Sequence, residues 1–556
     1  MKKLACAAWL CVTTACGTAA APASKAADVV VDVDVASVDA AVAAEVAVGV
    51  DAAIGCDPAC ELAQVQAALA ADQRKTARTI AHLHGPYSKD ACDAKGIFGD
   101  KPNPTCLASL RAGICASALD VVFLTDHPTH MKDYTFPALL YHAATDTLVQ
   151  DGLGRPYANV LHCPAADSVP AHDVTLLVGY EGEHTMPIGM HAHLSFKDLY
   201  KVVLDNATPF DQAKKVVDEV HAREGLVALV HAEQKAVSPE RVRDLGIDLI
   251  EIYNIHANFI LGYLADFGRL FEFNAFMGPA DQAADPNLAI VAALQYLPDE
   301  GLNQWHLALR YKRIGGVLGS DAHENVELPA LCGEFGMIDD VCKAKAASAP
   351  HAVAAFTKGG QILLADGYRF DQFRRMLRWY STRVRLKPGE SRPLHVAVQE
   401  ALQLGASYQV WNVFGEPDSV QLVAMGTGPK GTAHAGQGEA LPADVTAGRR
   451  LLFRLPKAVA EPWSPFATAN AALAAREVKL WRVTADGPNV VATWNDKGHQ
   501  GLQVQADVAW VNDPPAGRYH LEVRILPDYL AGPLKNAAAL AKNWYRWVIS
   551  GVVEVP

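Results

Sequence analysis

Short apolar runs of strand type recur between residues 78 and 370, and the residues that follow them are repeatedly histidines or acids. His82-Leu83-His84 closes the first run. Thr125-Asp126-His127 follows Leu119 to Leu124, and Glu181 follows Leu176 to Tyr180. His231 follows Leu226 to Val230, and Asp321-Ala322-His323 follows Gly315 to Gly319. Between the runs lie stretches with helical spacing. Asp211 to Glu224 puts Val216, Val217 and Val220 on one face and has Gly225 at its end; Pro239 to Leu245 is a short helix, Asp248 to Tyr253 another strand, and Asn287 to Leu297 a longer helical region. Strand and helix in alternation build βα units around a parallel sheet, open or closed into a barrel. Side by side, such strands gather their terminal imidazoles and carboxylates at one end, where those groups can hold divalent ions.

Histidine is unevenly spread: sixteen of the twenty lie between His82 and His351. A lone histidine is usually a satisfied polar group, so the reading rests on the ordered set. His82 and His84, two apart on an extended strand, face the same side. A carboxylate such as Glu181 can bridge two cations. Asp321 and His323 repeat the alternate-residue geometry after small residues that allow backbone to approach a ligand closely.

The order HxH, TDH, GxE, a histidine pair, a strand-terminal His and SDAH resembles the polymerase and histidinol phosphatase (PHP) superfamily of metal-dependent phosphoesterases. The resemblance covers about residues 78–375. It implies an α/β fold, a distorted (βα)7 barrel, with two or three divalent ions (zinc, manganese or iron) at the C-terminal ends of the strands. The ligands it implies are His82, His84, Asp90, His127, Glu181, His231, Asp321 and His323, with one more from His191 or His193. The chain departs from the family pattern in places. The aspartate often found seven residues after the first histidine is Lys89 here, and Asp90 comes one later; Lys89 is then either a surface residue or a cation facing substrate phosphate. Glu183 competes with Glu181. The long gap from His127 to Glu181 implies an insertion, and its His142, His162 and Cys163 are read as structural. Asp126 either orients a ligand histidine or caps its loop. His130 and His184 are candidates for contacts around the ligands.

The function expected is hydrolysis of a small-molecule phosphate ester by a metal-bound hydroxide at a di- or trinuclear site. Such ligand sets also cleave amides and lactones, and a surface-anchored binding protein without catalysis is a third reading. No GxSxG elbow and no GxxxxGK[ST] phosphate loop is present. A formal charge of −12 speaks against a general nucleic-acid binder.

Residues 1–16 read as a targeting segment. Lys2 and Lys3 precede an apolar stretch, and Thr14-Ala15-Cys16-Gly17 looks like a bacterial lipoprotein box with Cys16 lipidated. The expectation is an exported, membrane-anchored lipoprotein, periplasmic or at the cell surface. Residues 17–77, rich in Ala, Val and Asp at their start, read as a tether. Export permits disulfides. Local pairs such as Cys332 with Cys342, or Cys92 with Cys106 or Cys115, cost little in loop closure. After residue 380 short alternating runs near Leu394–Val398, Val420–Val423, Leu451–Leu455, Val478–Val483 and Tyr519–Arg524 suggest a mostly β, sandwich-like C-terminal domain over 380–556. Phe466–Arg476 and Leu534–Trp544 look helical.

Overall fold

The strand β1 (Lys75–Leu83) is the axis around which the chain is organised. Its last five residues are all buried, because it has partners on both edges. A computed structural model describes residues 58–232, 236–255, 274–294, 299–328, 360–459 and 469–556. The targeting segment, Cys16, the Ala/Val/Asp stretch up to 57 and the pair Cys332 and Cys342 lie outside the described residues.

Eight further strands extend the sheet from β1: β2 (Val121–Leu124), β3 (Thr147–Gln150), β4 (Pro156–Cys163), β5 (His172–Val178), β6 (Met186–Ile188), β7 (Leu226–Leu229), β8 (Leu249–Asn254) and β9 (Gly315–Ala322). Their lateral order is β3-β4-β5-β2-β1-β9-β8-β7-β6. The run from β5 to β7 is parallel, and β2, β7, β8 and β9 are buried at every residue. Burial on both faces is why these runs read as continuous apolar stretches rather than alternating ones. Helices α2 (Pro104–Cys115), α3 (Phe210–His221), α4 (Pro239–Leu245) and α5 (Glu300–Leu309) lie between the strands in sequence. Before them, α1 spans Pro58–Ala71. In α3 the buried residues Ala213, Val216, Val217 and Val220 form one stripe. In α4 the hydroxyl of Ser238 accepts from the Arg241 N–H at the start, and Gly246 ends the helix in the left-handed region.

A closed (βα)7 barrel is not what the strands form. β5 pairs with β2 along one edge, from Val121 opposite Thr175 to Leu124 opposite Val178. Along its other edge it pairs antiparallel with β4, from Ala158 opposite Leu177 to Cys163 opposite His172. The hairpin β3–β4 comes from the insertion after His127 and fills the flank that closure would require. Between β5 and the β6 end of the sheet there is one bridge, Val178 to Met190, instead of a ladder. The fold is mixed α/β around a large, unclosed central sheet.

The second half of the chain shares that sheet. β10 (Ser381–Leu386) runs antiparallel to the N-terminal half of β1, and β11 (Ser407–Val410) continues from it to the strand Tyr545–Ile549. A separate five-stranded antiparallel sheet contains Leu422–Gly428, Ala447–Arg454 and Val508–Asn512. Two expectations need correction here. Leu394–Val398 is not a strand but the start of α6 (Leu394–Gln403). Its buried His395, Val398 and Leu402 and its buried Ala397 and Ala401 recur at helical spacing, which the first five residues alone conceal. Of the helical-looking Phe466–Arg476, Ala469–Leu473 is a short 3-10 turn and Ala475 already opens a ten-residue strand.

The tether, expected to reach residue 77, also ends earlier. Val65, Ala68 and Leu69 of α1 are buried against Val423, Leu452 and Trp510. Ala-rich composition suits a helix, and the i, i+3, i+4 spacing of these three gives it a packed face. Residues from Leu62 onward form one compact unit. Among the described residues no helix is long and apolar enough to cross a membrane. Cys92 is bonded to Cys106 and Cys115 to Cys163.

Candidate metal centre

Five parallel strands end at one place, and each delivers a side chain there. β1 brings His82 and, one residue past its end, His84. His127 follows β2, Glu181 follows β5, His231 follows β7, and β9 supplies Asp321 with His323 just beyond. Backbone hydrogen bonds between the strand ends fix their stagger. His84 N–H donates to Ala322 O at 3.1 Å, Thr125 N–H to Leu83 O at 2.8 Å and Gly179 N–H to Leu124 O at 2.7 Å.

Glu181 is the centre of the group. Its Oε1 lies 2.6 Å from His231 Nε2 and 3.5 Å from His82 Nε2, and its Oε2 lies 3.2 Å from His84 Nε2 and 3.1 Å from His127 Nδ1. Asp321 Oδ1 is 3.3 Å from the Nε2 of both His82 and His84. Asp90, in the loop after β1, places Oδ2 3.4 Å from His127 Nε2 and Oδ1 3.4 Å from His323 Nε2. Two overlapping sets have ligand atoms mutually within 4.8 Å: His82, His84, Glu181 and Asp321, and His84, His127 and His323.

The charges in this pocket sustain one another. Burial alone would raise the Glu181 carboxyl, but His82, His231 and His84 outweigh it and hold the acid well below its ordinary range. Burial alone would lower the His82 imidazole, and Glu251, Asp321 and Glu181 reverse that, raising it well above the usual value. His127 follows the same logic: Asp90 and Glu181 overcome burial and push it up to about 9. Asp90 is correspondingly held low by His127, His323 and His84 despite its partial burial.

These residues fit a cation. Nε2 of His82, Nε2 of His84 and Oε2 of Glu181 are buried, and the two ring nitrogens face the Glu181 carboxylate at 3.5 and 3.2 Å without a well-aligned hydrogen bond. Buried lone pairs left this way are costly unless something else takes them up. Imidazole nitrogen and carboxylate oxygen together are the donors zinc, manganese and iron accept.

Backbone geometry at the site departs from the simple strand picture. His82, His231 and Asp321 have φ of 61°, 54° and 48°. Left-handed backbone is uncommon for residues with a side chain and concentrates at functional sites. At His82 the pairing of β1 with both β2 and β9 slips between residues 80 and 83. His82 and His84 therefore converge through a bulge, not through the regular alternation of an extended strand.

The remaining candidates fall elsewhere. His193 is occupied at both ring nitrogens, by the Tyr200 hydroxyl at 2.8 Å and Tyr134 O at 2.9 Å. His191 stacks on Tyr157 with ring centroids 3.8 Å apart. The structure brings neither to the cluster, so the extra ligand expected from this pair is a correction. Lys89 is exposed, Glu183 is exposed, and His130 is exposed. His184 is buried with Nδ1 3.4 Å from Val230 O. Asp126 touches no ligand ring: its two oxygens accept from the Gly85 N–H and, at 2.6 Å, from the Tyr141 hydroxyl, so it shapes the turn after His84. His142 and His162 are exposed, and His162 bonds Thr147 and Asp173 on the hairpin.

Sequence reasoning missed three polar residues beside the ligands. Ser88 Oγ lies 3.1 Å from His84 Nδ1, donates to Asp90 Oδ1 at 3.0 Å and accepts the His127 N–H at 3.2 Å. Glu251 Oε1 lies 2.6 Å from His82 Nδ1. Asn254 donates to Asp321 Oδ2 at 3.3 Å. The signal available for the last two was a pair of polar residues inside an otherwise apolar buried strand.

No family model matches the chain, and no curated relative matches it. Among solved structures, it is similar to a two-domain protein from Bacteroides vulgatus containing a predicted PHP-like metal-dependent phosphoesterase. Identity is 12%, the match covers 81% of this chain and 90% of that one, and the TM-score is 0.26.

Proposed function

We propose that this chain is a metal-dependent hydrolase of phosphate esters, with two or three divalent ions held by His82, His84, Asp90, His127, Glu181, His231, Asp321 and His323. The observation that carries the reading is the convergence of these side chains from five strand ends, with buried lone pairs on His82, His84 and Glu181 that no well-aligned protein hydrogen bond takes up. Seven strands (β1, β2 and β5 to β9) are read as a distorted (βα)7 arrangement of PHP type, opened by the hairpin β3–β4. The choice of a phosphate ester over other bonds rests on the resemblance of the motif order.

Divalent ions bound there would polarise phosphoryl oxygens and lower the pKa of a coordinated water. The chain's own contribution is arrangement. Glu181 presents one oxygen toward His82 and His231 and the other toward His84 and His127, the disposition of a bridging carboxylate. Ser88 occupies Nδ1 of His84, which leaves Nε2 as that ring's inward atom. Burial of His82, His84, Glu181 and Asp321 excludes bulk water from one side of the group and strengthens the interactions there. The exported location expected from the N-terminal residues is consistent with the disulfides Cys92–Cys106 and Cys115–Cys163, since such bonds persist in oxidising compartments.

The test is metal removal and return. Protein stripped with a chelator is given back manganese or zinc and assayed on phosphomonoesters and phosphodiesters, with an amide and a lactone alongside. Turnover of a phosphoester that disappears with the ions and returns with them is the expected result. Metal-restored turnover confined to the amide or lactone would replace the substrate class, and absence of bound metal would end the reading.

A further inference from the structure

Glu251 is a buried acid in the middle of β8. Buried carboxylates are costly unless they are paired, and two of its partners are candidate metal ligands. Oε1 lies 2.6 Å from Nδ1 of His82, and Oε2 accepts the backbone N–H of His231 at 3.3 Å. Both ligand residues have left-handed backbone, so one carboxylate clasps two strained positions, one on β1 and one at the end of β7. Asn254 braces it, with Nδ2 3.4 Å from each Glu251 oxygen.

The space this carboxylate occupies exists because position 319 is glycine. A Cβ on Gly319 would overlap Glu251 Oε1 and would come 3.2 Å from the Cβ of His82. Gly319 O meanwhile accepts from the Tyr380 hydroxyl at 3.0 Å, which holds that stretch of β9 in place. The small residue before Ser320 and Asp321 is thus matched to an acid from the adjacent strand.

We propose that Glu251 is a positioning residue of the metal centre. Its Oε1 accepts a hydrogen bond from the Nδ1–H of His82 and so fixes the ring with Nε2 toward Glu181 and Asp321, while Gly319 provides the room for it. This inference rests on the metal-centre reading above. A carboxylate on the far nitrogen of a ligand histidine sets tautomer and orientation, and its loss lowers metal affinity by roughly 10- to 100-fold.

Two measurements test it without an activity assay. Zinc affinity is measured by calorimetry on wild type, Glu251→Ala, Gly319→Ala and, as a control, Glu183→Gln at an exposed position. Gly319→Ala keeps the acid but displaces its carboxylate, so it reports even if Glu251→Ala fails to fold. Expected is a 10- to 100-fold weakening in both site variants and none in the control. Histidine-selective nitrogen NMR of the zinc-loaded wild type is expected to show His82 carrying zinc on Nε2 and a proton on Nδ1. Zinc on Nδ1, or wild-type affinity in the folded site variants, overturns the proposal while leaving the metal centre intact. Wild-type protein that takes up no zinc ends both.

Discussion

Oε1 of Glu181 and Nε2 of His231 stand 2.6 Å apart, the shortest of the four approaches that carboxylate makes to histidine rings. The other oxygen of the same group faces His84 and His127, so Glu181 touches four imidazoles from three strand ends. Replacing it with glutamine keeps the shape and removes the charge that the surrounding rings require. Glu181→Gln is expected to lose at least half of its bound metal, read by elemental analysis, and to cut phosphoesterase turnover by about two orders of magnitude. Full metal content with unchanged turnover would remove Glu181 from the centre.

Lys89 and Asp90 are neighbours with opposite expected consequences. Asp90 faces His127 and His323, whereas Lys89 is exposed. Asp90→Asn should reduce turnover at least tenfold, and Lys89→Ala should stay within about twofold of wild type. If Lys89→Ala raises KM strongly with kcat unchanged, the lysine meets substrate after all.

Ser88 connects three pieces of the site with one hydroxyl. Ser88→Ala is expected to weaken metal binding by roughly tenfold, with a loss of stability in the metal-free protein of about 1 kcal/mol. Calorimetric titration with zinc and denaturant unfolding of the stripped protein separate the two effects.

Leu69 tests where the folded part starts. It is fully buried with Val65, Val423, Leu452 and Trp510. Leu69→Ala should cost about 2–5 kcal/mol of unfolding free energy and leave metal stoichiometry untouched. A change under about 0.5 kcal/mol would return α1 to the tether.

His306 and His520 supply a pH dependence remote from the metal ligands. Their Nε2 atoms are 2.9 Å apart, and burial is the largest cause that drives His306 down to about 4 and His520 well below its usual value. The groups facing them include Glu522, Arg546 and Asp299. A histidine lowered in the folded state binds fewer protons than in the unfolded chain. Its stabilising contribution is complete above about pH 6.5 and is lost as pH falls toward 4, by about 3 kcal/mol for His306. Unfolding free energy measured from pH 7 to 4 should fall more gently in His306→Gln than in wild type.

Much of the candidate site was legible because strand ends are where a parallel sheet exposes polar groups, and the motif residues mark those ends. His82, His84, Asp90, His127, Glu181, His231, Asp321 and His323 come from five separate stretches of the sequence and lie together in space. Glu251 was missed: its one signal was being a polar residue inside an apolar run, with no turn or motif spacing beside it. His191 and His193 misled because a histidine pair has the same letters whether it faces ions or bonds tyrosines. The bulge at His82 was invisible, since alternation in sequence is the same for regular and slipped strands. The hairpin β3–β4 defeated closure for a reason no local pattern carries, which is that edge pairing depends on what else competes for the edge. α6 was misread from five residues when its period needs ten.

The lateral position of β10 has a consequence for anyone dividing the molecule. Ser381–Leu386 covers the early part of β1, the same strand whose far end presents His82. A cut near residue 375 would bare a row of main-chain donors and acceptors and leave the fragment sticky along that seam. The half that carries the candidate metal ligands and its companion are therefore not interchangeable cassettes. A fragment engineered to keep the chemistry must carry its borrowed neighbour, Ser381–Leu386, with it.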